Sequence, residues 1–333
     1  MPLLLTARAA TRPPVGLLTS RDAELLAIRP AEDPTLVRVR RGVYAGRDTW
    51  NALAPWQRYA ARVHALLLQR PQTVLCLESA AVVHGVPLFG QTRDIHAYDP
   101  TLRKSTRFGD VVVHTSRDPR EVVDVGGILS TSMLDTVIDL ARVLPLAAGL
   151  TAVDAAISPV QGGPLTLPTL RDRADAQSNR RGRAHLRWIW ARANGCAESP
   201  TEVISRAVIE WSGFEEPVQQ PVFHYEGHTD RTDFGFRSNH ALGESDGWGK
   251  YDLGDPARAE AHLRHEKQRE DRLRRNGHPF ARWDPGGAFR VEPLCRALAG
   301  AGLRPVFPAQ PALLATLRHN PRALHPRETG LSG

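Results

Sequence analysis

Residues 232–251 read TDFGFRSNHALGESDGWGKY, and this stretch decides how the C-terminal half of the chain is interpreted. Alternation along a strand places Glu244 and Asp246 on one face, and a hairpin of ordinary register brings Asp233 beside Glu244. Carboxylates that converge at a strand end bind hard divalent cations such as Mg²⁺ or Mn²⁺. Such a metal activates bound water and stabilises charge on a scissile phosphate. We therefore predict Asp233, Glu244 and Asp246 as metal ligands, with Lys250 either orienting the nucleophile or neutralising the developing charge.

The elements around this stretch are predicted as a helix, three consecutive strands, a long helix and a further strand. The first helix begins with Ser199 at the N-cap, Pro200 at the first helical position and Glu202 at the third, which is the capping-box arrangement. Pro221 interrupts the first strand, so that this strand carries a bulge or lies at a sheet edge. The long helix is predicted over residues 255–276.

Five short pieces follow one another in this region: ESPTE at 198–202, Asp233-Phe234, the ExDG of 244–247, KY at 250–251 and REDRLRRNGH at 269–278. Together they resemble the PD-(D/E)XK nuclease fold, in the branch similar to very-short-patch-repair endonucleases. The resemblance implies that residues 197–300 form an α/β domain of restriction-endonuclease-like type, with a mixed sheet flanked by helices.

The same resemblance implies metal-dependent cleavage of DNA at this domain. Asp233 and Glu244 would be metal ligands, and Glu202 would hydrogen-bond a metal-bound water. The chain departs from the family pattern at Asp246, where the family has a lysine, so that Lys250 would act as a displaced lysine.

Each of these residues also has a structural interpretation. The capping box alone accounts for Glu202, and Asp246 with the following glycine is a common turn pair. Asp233 and Glu244 can be ordinary surface carboxylates, and Lys250 a solvated lysine. Both interpretations stay open at the level of the sequence.

The long helix carries basic residues that suit a phosphate backbone. Lys267, Arg269 and Arg272 lie along it, and we predict that they contact DNA. The alternative is a solvent face that compensates its own charges, as the pair Lys267–Asp271 suggests.

The N-terminal part shows a second pattern, in which LLTSRDAELL is followed by VRVRRGVYA. Thr19 and Ser20 give a helix start, and residues 35–45 alternate apolar and basic side chains as a β-ribbon does. With the SAAVVHGVPL segment at 79–88, residues 15–157 resemble the winged-helix antitoxin regulators of abortive-infection toxin–antitoxin systems. The resemblance implies an α+β region with a winged-helix-like front at 15–69 and an α+β unit at 70–157.

It also implies a transcriptional regulator with a cognate toxin as a possible partner. DNA contacts would come from Ser20 and Arg21 at the helix start and from Arg38, Arg40 and Arg41 on the wing. The chain departs from the family where a recognition helix is expected, because residues 29–35 are short. An amphipathic edge hairpin with solvated arginines is the structural alternative.

Composition places limits on the remaining possibilities. The formal net charge of +7 favours a polyanionic partner such as DNA or RNA. The three cysteines are scattered and suggest neither a disulfide framework nor a zinc site, which fits a reducing cytoplasm. Since no apolar run reaches membrane-spanning length, we expect a cytoplasmic protein without a membrane partner.

The predicted organisation is completed by a flexible lead-in at 1–14, a linker with basic helices at 158–196, and a partly disordered tail at 301–333. The expected function is that of a DNA-binding regulator of the antitoxin type whose nuclease-like domain binds Mg²⁺ and cleaves DNA. The alternative is a regulator whose nuclease-like domain only binds DNA or a toxin.

Overall fold

The computed structural model describes residues 3–246, 256–318 and 320–324. It is a mixed α+β structure built from several small sheets, as the sequence predicts at this coarse level. None of the described helices combines the length and apolar character that crossing a membrane requires. We divide the chain into a front unit (3–69), a middle unit (70–157), two connecting helices and a rear unit (197–324).

The front unit is a three-stranded antiparallel sheet of order β1-β3-β2 with short helices around it. Its elements are α1 (Leu5–Arg8), β1 (Leu18–Thr19), α2 (Ser20–Leu25), β2 (Leu36–Arg40), β3 (Val43–Gly46), α3 (Arg47–Ala52) and α4 (Pro55–Gln69). Helix α2 starts with a capping box in which Thr19 and Asp22 satisfy each other's backbone N–H groups. The single helix predicted over 50–69 is interrupted, because Pro55 begins a new helix at its N1 position.

The middle unit packs three helices on small sheets. Its elements are α5 (Leu77–His84), β4 (Ile95–Tyr98), β5 (Thr106–Phe108), β6 (Val111–His114), β7 (Val122–Val125), β8 (Ile128–Thr131), α6 (Met133–Val143) and α7 (Leu146–Ile157). Strands β4 and β6 are parallel, whereas β5–β6 and β7–β8 are antiparallel pairs.

The connecting helices are α8 (Leu167–Asp175) and α9 (Arg183–Trp190). The rear unit then contains α10 (Pro200–Trp211), β9 (Val218–Gln219), β10 (Val222–Tyr225), β11 (His228–Arg231), β12 (Phe234–Gly235), β13 (Leu242–Ser245), α11 (Pro256–Arg275), β14 (Phe280–Trp283), α12 (Pro285–Arg290), α13 (Glu292–Gly300) and α14 (Pro311–Ala315). Its main sheet has the order β14-β13-β12-β9 and is mixed, because only β13 and β14 run parallel.

Two faces of this rear sheet are covered. On one face, Phe234 and Trp283 belong to a core cluster with α10, α12 and α13. On the other, Leu242 and Phe280 pack on Leu273 of α11. The prediction of a mixed sheet between helices therefore agrees with the structure in general layout. The interruption predicted at Pro221 separates β9 from β10, which belong to different sheets.

Three boundary predictions need correction. The lead-in is docked, because Leu5 of α1 is buried and the amides of Leu5 and Ala10 donate hydrogen bonds to the carbonyls of Gln161 and Val82. Gly85 ends α5 with a φ of 72°, and an added Cβ would collide with the Leu5 carbonyl, so this contact requires glycine.

The predicted linker is packed structure. Ser158 accepts the amide of Gly163 and begins a tight turn, and Leu186 and Ile189 of α9 are buried in the core cluster of the middle unit. Val203 of α10 belongs to the same cluster. The middle and rear units therefore share a continuous apolar core.

The tail is also placed as far as residue 324. Leu313, Leu314 and Leu317 pack against the rear core. Residues 325–333, where disorder is predicted, lie outside the described residues.

Candidate functional site

The candidate site lies where β12 and β13 end. Their antiparallel register pairs Phe234 with Gly243 and Gly235 with Leu242. Continued by one residue, it sets Asp233 opposite Glu244, on the same face of the sheet. The Ser245 amide donates a hydrogen bond of 2.8 Å to Oδ2 of Asp233, which ties the two strands together. The backbone register therefore places the two residues on which the metal prediction depends on neighbouring strand ends.

The opposite face explains why Gly243 interrupts an otherwise buried strand. The Trp283 ring covers Gly243 so closely that an added Cβ would lie 2.8 Å from the ring. Trp283 also stacks on Phe234 and donates its indole N–H to Ser205 at 2.8 Å. Glycine at 243 thus leaves room for the Trp283 ring in the core, and a branched side chain at this position would displace the ring.

Glu244 itself is enclosed by arginines. The residue is 5% exposed. Nη2 of Arg269 lies 2.6 Å from its Oε1, and Nη2 of Arg282 lies 2.8 Å from its Oε2. Arg282 is placed by the parallel register of β13 and β14, which pairs it directly with Glu244, and Arg269 comes from the inner face of α11. Both carboxylate oxygens therefore already have a cationic partner.

Further carboxylates surround the two arginines. Arg269 bonds Glu266 at 2.8 Å, and Arg282 lies 3.5 Å from Glu270 and 3.8 Å from Asp246. We call Glu244, Arg269, Arg282 and these three acidic residues the Glu244 network. Burial raises the pKa of the Glu244 carboxyl, and the neighbouring guanidinium groups oppose that rise.

The donors of this network do not fit a metal ion as they are arranged. Within residues 3–246, 256–318 and 320–324, no group of three or more His, Cys, Asp or Glu side chains is positioned to hold one. Arg269 Nε is buried and lacks a hydrogen-bond partner among those residues, and this N–H can only donate. An orphaned donor beside Glu244 suits a water or an anionic oxygen better than a cation.

Glu202 takes the structural role. Its carboxylate accepts the Ser199 hydroxyl at 2.7 Å, the Glu198 amide at 2.8 Å and the Gln220 side-chain amide at 2.9 Å. Gln220 also donates its own backbone N–H to the carbonyl of Asp233 at 3.0 Å. Glu202 thus accepts hydrogen bonds from the donors at the start of α10. Through Gln220 it also helps to hold the backbone at Asp233 in place. Burial raises the pKa of Glu202 against these hydrogen bonds.

One predicted site residue lies at the margin of the Glu244 network, and another lies outside the described residues. Asp246 is partly exposed, and its amide donates to the Trp283 carbonyl at 2.9 Å, so it extends the β13–β14 pairing. Lys250 lies outside the described residues, and so does the rest of the segment 247–255.

The predicted DNA contacts of α11 divide into two groups. Lys267 is exposed. Arg269 belongs to the Glu244 network, and Arg272 is 8% exposed and bonded through two nitrogens to Asp230 at 2.7 and 2.8 Å. The prediction that Arg269 and Arg272 contact phosphates therefore has to be corrected, since their guanidinium groups hold the helix to the sheet.

The front unit shows a similar division. Ser20, Arg21, Arg38 and Arg41 are exposed. Arg40 instead bonds Asp110 of the middle unit at 2.7 Å, together with Arg62 at 3.3 Å, so its predicted phosphate contact is also corrected. The burial of alternate valines on β2 leaves Arg38 on the outer face of the sheet.

These exposed residues lie on strand β2, in the β2–β3 turn and at the start of α2. Arg38, Tyr44 and Leu18 form a row across β2, β3 and β1, and the Ser20 amide donates to the Gly42 carbonyl at 2.9 Å. Arg21 and Arg41 therefore flank one contact between α2 and the β2–β3 turn. We call Arg21, Arg38 and Arg41 the front basic edge.

A recognition helix is missing from the described front unit. Between α2 and β2, residues 26–35 form turns and irregular chain, as the short sequence there suggests. The winged-helix outline thus keeps its ribbon and one helix, but lacks the element that would enter a groove.

The partners of Glu244 were not predicted, although one sequence signal points to them. Arg269 falls four residues before Leu273, so the inward face of α11 carries it next to an apolar contact.

Comparison of the chain with protein-family models, curated proteins and solved structures finds no match.

Proposed function

We propose that this protein is a DNA-binding regulator whose rear unit does not cleave DNA. The observation that carries the second half of this proposal is that both oxygens of Glu244 bond guanidinium groups, at 2.6 and 2.8 Å. A carboxylate held in this way already has its charge compensated, and a metal would have to compete with two partly buried arginines for it.

DNA binding is supported by charge and position. The chain carries a formal net charge of +7, and the front basic edge presents three exposed arginines. Arginine contacts to phosphate supply sequence-independent affinity. Without a helix between α2 and β2, we expect contacts to the backbone to predominate over contacts to base edges.

The test is a pair of assays on the full chain. Supercoiled, linear and single-stranded DNA are incubated with Mg²⁺ and separately with Mn²⁺, and binding to a labelled duplex is measured in parallel. We expect binding that weakens steeply with salt and no metal-dependent cleavage. Cleavage that disappears in Asp233→Asn would overturn the non-cleaving half, and salt-insensitive or absent binding would overturn the other half.

Metal-dependent cleavage remains as a second candidate because one observation favours it. The strand register sets Asp233 opposite Glu244, and Gln220 links Asp233 to Glu202 at the same end of the sheet. Mg²⁺ or Mn²⁺ held there would supply an activated water. This candidate requires Arg269 to leave Glu244, so it predicts that Arg269→Ala increases metal affinity.

A further inference from the structure

Residues 320–324 return from the rear unit to the middle unit as a short extended segment, which we call the strap. The Arg322 carbonyl accepts the Arg93 amide at 2.8 Å, and the Leu324 amide donates to the Gln91 carbonyl at 2.8 Å. Between these bonds, Ala323 pairs with Thr92 as an antiparallel bridge. The strap therefore adds to residues 91–93 in the way that a peptide adds to a sheet edge.

The side chain of Arg322 enters the middle unit at Glu78, a carboxylate that is 1% exposed in the first turn of α5. Nε of Arg322 bonds Oε1 of Glu78, and Nη2 bonds Oε2 at 2.7 Å. Nη2 also lies 3.0 Å from Nε2 of His96, whose Nδ1 lies 2.9 Å from Nε2 of His114. Two parallel guanidinium bonds to one carboxylate are a geometry that lysine cannot reproduce.

Glu78 needs this cation. A guanidinium can only donate, so Nε2 of His96 accepts from Arg322, and the ring is neutral with its proton on Nδ1. Arg322 is then the positive charge that compensates the buried carboxylate. Burial raises the pKa of the Glu78 carboxyl, but the hydrogen bonds and charge of Arg322, together with the neighbouring His96, hold that pKa below its usual range.

The strap lies beside a small cavity of about 10 Å³, room for a single water, which is lined by Glu78, Leu88, Leu144 and Asn320. Strap residues Asn320–Leu324 are themselves partly or fully exposed. Two backbone hydrogen bonds and one side chain hold them, so the strap can open without unfolding of the cores beneath it.

We propose that the groove formed by Glu78 and residues 91–93 is an arginine-recognition site for extended peptide segments, and that the strap occupies it as an intramolecular competitor. The partner it fits is a protein that presents an arginine on an extended segment, with backbone groups free to pair with residues 91–93. Binding of such a partner displaces the strap. Because the tethered strap competes at high effective concentration, the site is hidden until a better segment arrives. This inference does not depend on the proposed DNA binding.

The test uses the full chain and a labelled peptide with the strap sequence, Asn-Pro-Arg-Ala-Leu, blocked at both ends. In the variant Arg322→Ala/Leu324→Pro, the strap loses its side-chain anchor and one backbone donor, while chain length is kept. We expect the peptide to bind this variant at least tenfold more tightly than the wild type. Replacing arginine by lysine in the peptide, or adding Glu78→Gln to the variant, should abolish the gain.

Equal binding to wild type and variant, or no binding to a variant whose circular dichroism is native, would overturn the proposal. Hydrogen exchange on the wild type gives a second reading that needs no variant. The amides of Arg93 and Leu324 should exchange faster than that of Cys76, which bonds the His96 carbonyl beneath the strap. Equal exchange rates at the three amides would mean that the strap does not open on its own. A partner segment could then not replace it in the groove, and the proposal would be overturned.

Discussion

Glu244 is a buried carboxylate whose chemistry depends on Arg269 and Arg282. Moving an ionised carboxylate out of water is costly, and the two guanidinium groups offset that cost. A glutamate at the same position on the strand would also suit a metal ligand, so residue identity alone does not distinguish a metal ligand from a partner in a buried ion pair. The surrounding arginines make Glu244 the second of these.

This difference gives a stability prediction. Glu244→Gln should destabilise the protein by about 2–3 kcal/mol, somewhat less than a broken buried pair usually costs, because Arg269 keeps Glu266 as a partner. Urea unfolding measures the change. Glu260→Gln on the exposed part of α11 is the matched control, and its pair with Arg264 should contribute under about 0.5 kcal/mol. A stabilising Glu244→Gln would instead indicate a crowded acidic site built for a cation.

His96 gives a pH prediction. Burial, followed by the charge of Arg322 and that of His114, lowers its pKa from 6.5 to about 4, although Glu78 and Asp94 act in the opposite direction. Between these two pH values the unfolded chain binds a proton that the folded chain does not, so stability rises with pH across this window. His96 therefore removes up to about 3 kcal/mol of stability as the pH falls from 6.5 to 4.

Urea midpoints at several pH values test this effect. His96→Gln keeps a neutral acceptor and donor but cannot be protonated, so the loss of stability with falling pH should become shallower. It should not vanish, because burial also lowers the pKa of His64, His84 and His114. His265→Asn, at an exposed position of α11, controls for the loss of one imidazole. An unchanged slope in His96→Gln would contradict the neutral, strap-bonded ring.

At the scale of elements, the front ribbon is where the DNA proposal can be measured. Each phosphate contact contributes about 0.9 to the slope of log affinity against log salt concentration. Arg38→Gln/Arg41→Gln should therefore lower that slope by about 2 and weaken binding alike for different DNA sequences. The control is Arg264→Gln/Arg296→Gln, which removes the same charge from two exposed positions of the rear unit. An equal loss in both pairs would show that net charge alone attracts the DNA.

Local signals predicted elements well where the chain carries its own caps. The Ser-Pro-Thr-Glu start of α10 and the proline and glycine around α11 located both helices to within about a residue or two. The two strands predicted over 232–236 and 240–245 are also present as an antiparallel pair, although β12 is only two residues long and Asp233 lies just before it. These features depend on neighbours in the sequence, which a single chain displays directly.

Long-range partners were not predictable in the same way. Arg40 with Asp110, Arg269 with Glu244 and Arg322 with Glu78 join residues far apart in the chain, and a solvated arginine has the same sequence pattern as a buried one. Composition led to wrong predictions of flexible chain at the two ends and in the connecting segment, because their Pro, Gly and Arg content is typical of linkers. In the structure these segments are packed, because apolar residues such as Leu5, Leu186 and Leu317 lie against the cores.

At the scale of the whole molecule, the middle and rear units are joined through more than chain connectivity. Trp188 packs against both core clusters, and Ala147 of α7 belongs to the rear cluster. Phe89 contacts Phe289 edge to face across the same boundary. A shared core of this kind predicts that the two units unfold together.

Asp154 is the residue on which that prediction can be tested. It is fully buried in α7, accepts the Asn194 and Gly195 amides at 3.0 and 3.2 Å, and bonds Arg206 of α10 at 2.9 Å. Burial raises the pKa of its carboxyl against these partners. Asp154→Ala leaves Arg206 without its carboxylate and two amides without acceptors, which should cost about 3–5 kcal/mol.

Hydrogen exchange followed by mass spectrometry measures the protection of backbone amides in the middle and rear units separately within one experiment. Peptides from α6 in the middle unit and from α10 in the rear unit should lose protection at the same denaturant concentration, and Asp154→Ala should lower that concentration equally for both. Asp175→Ala, an exposed position on α8, should leave it unchanged. Loss of protection in only one of the two peptides would mean that the shared core does not couple the units, and that each is stabilised by its own contacts.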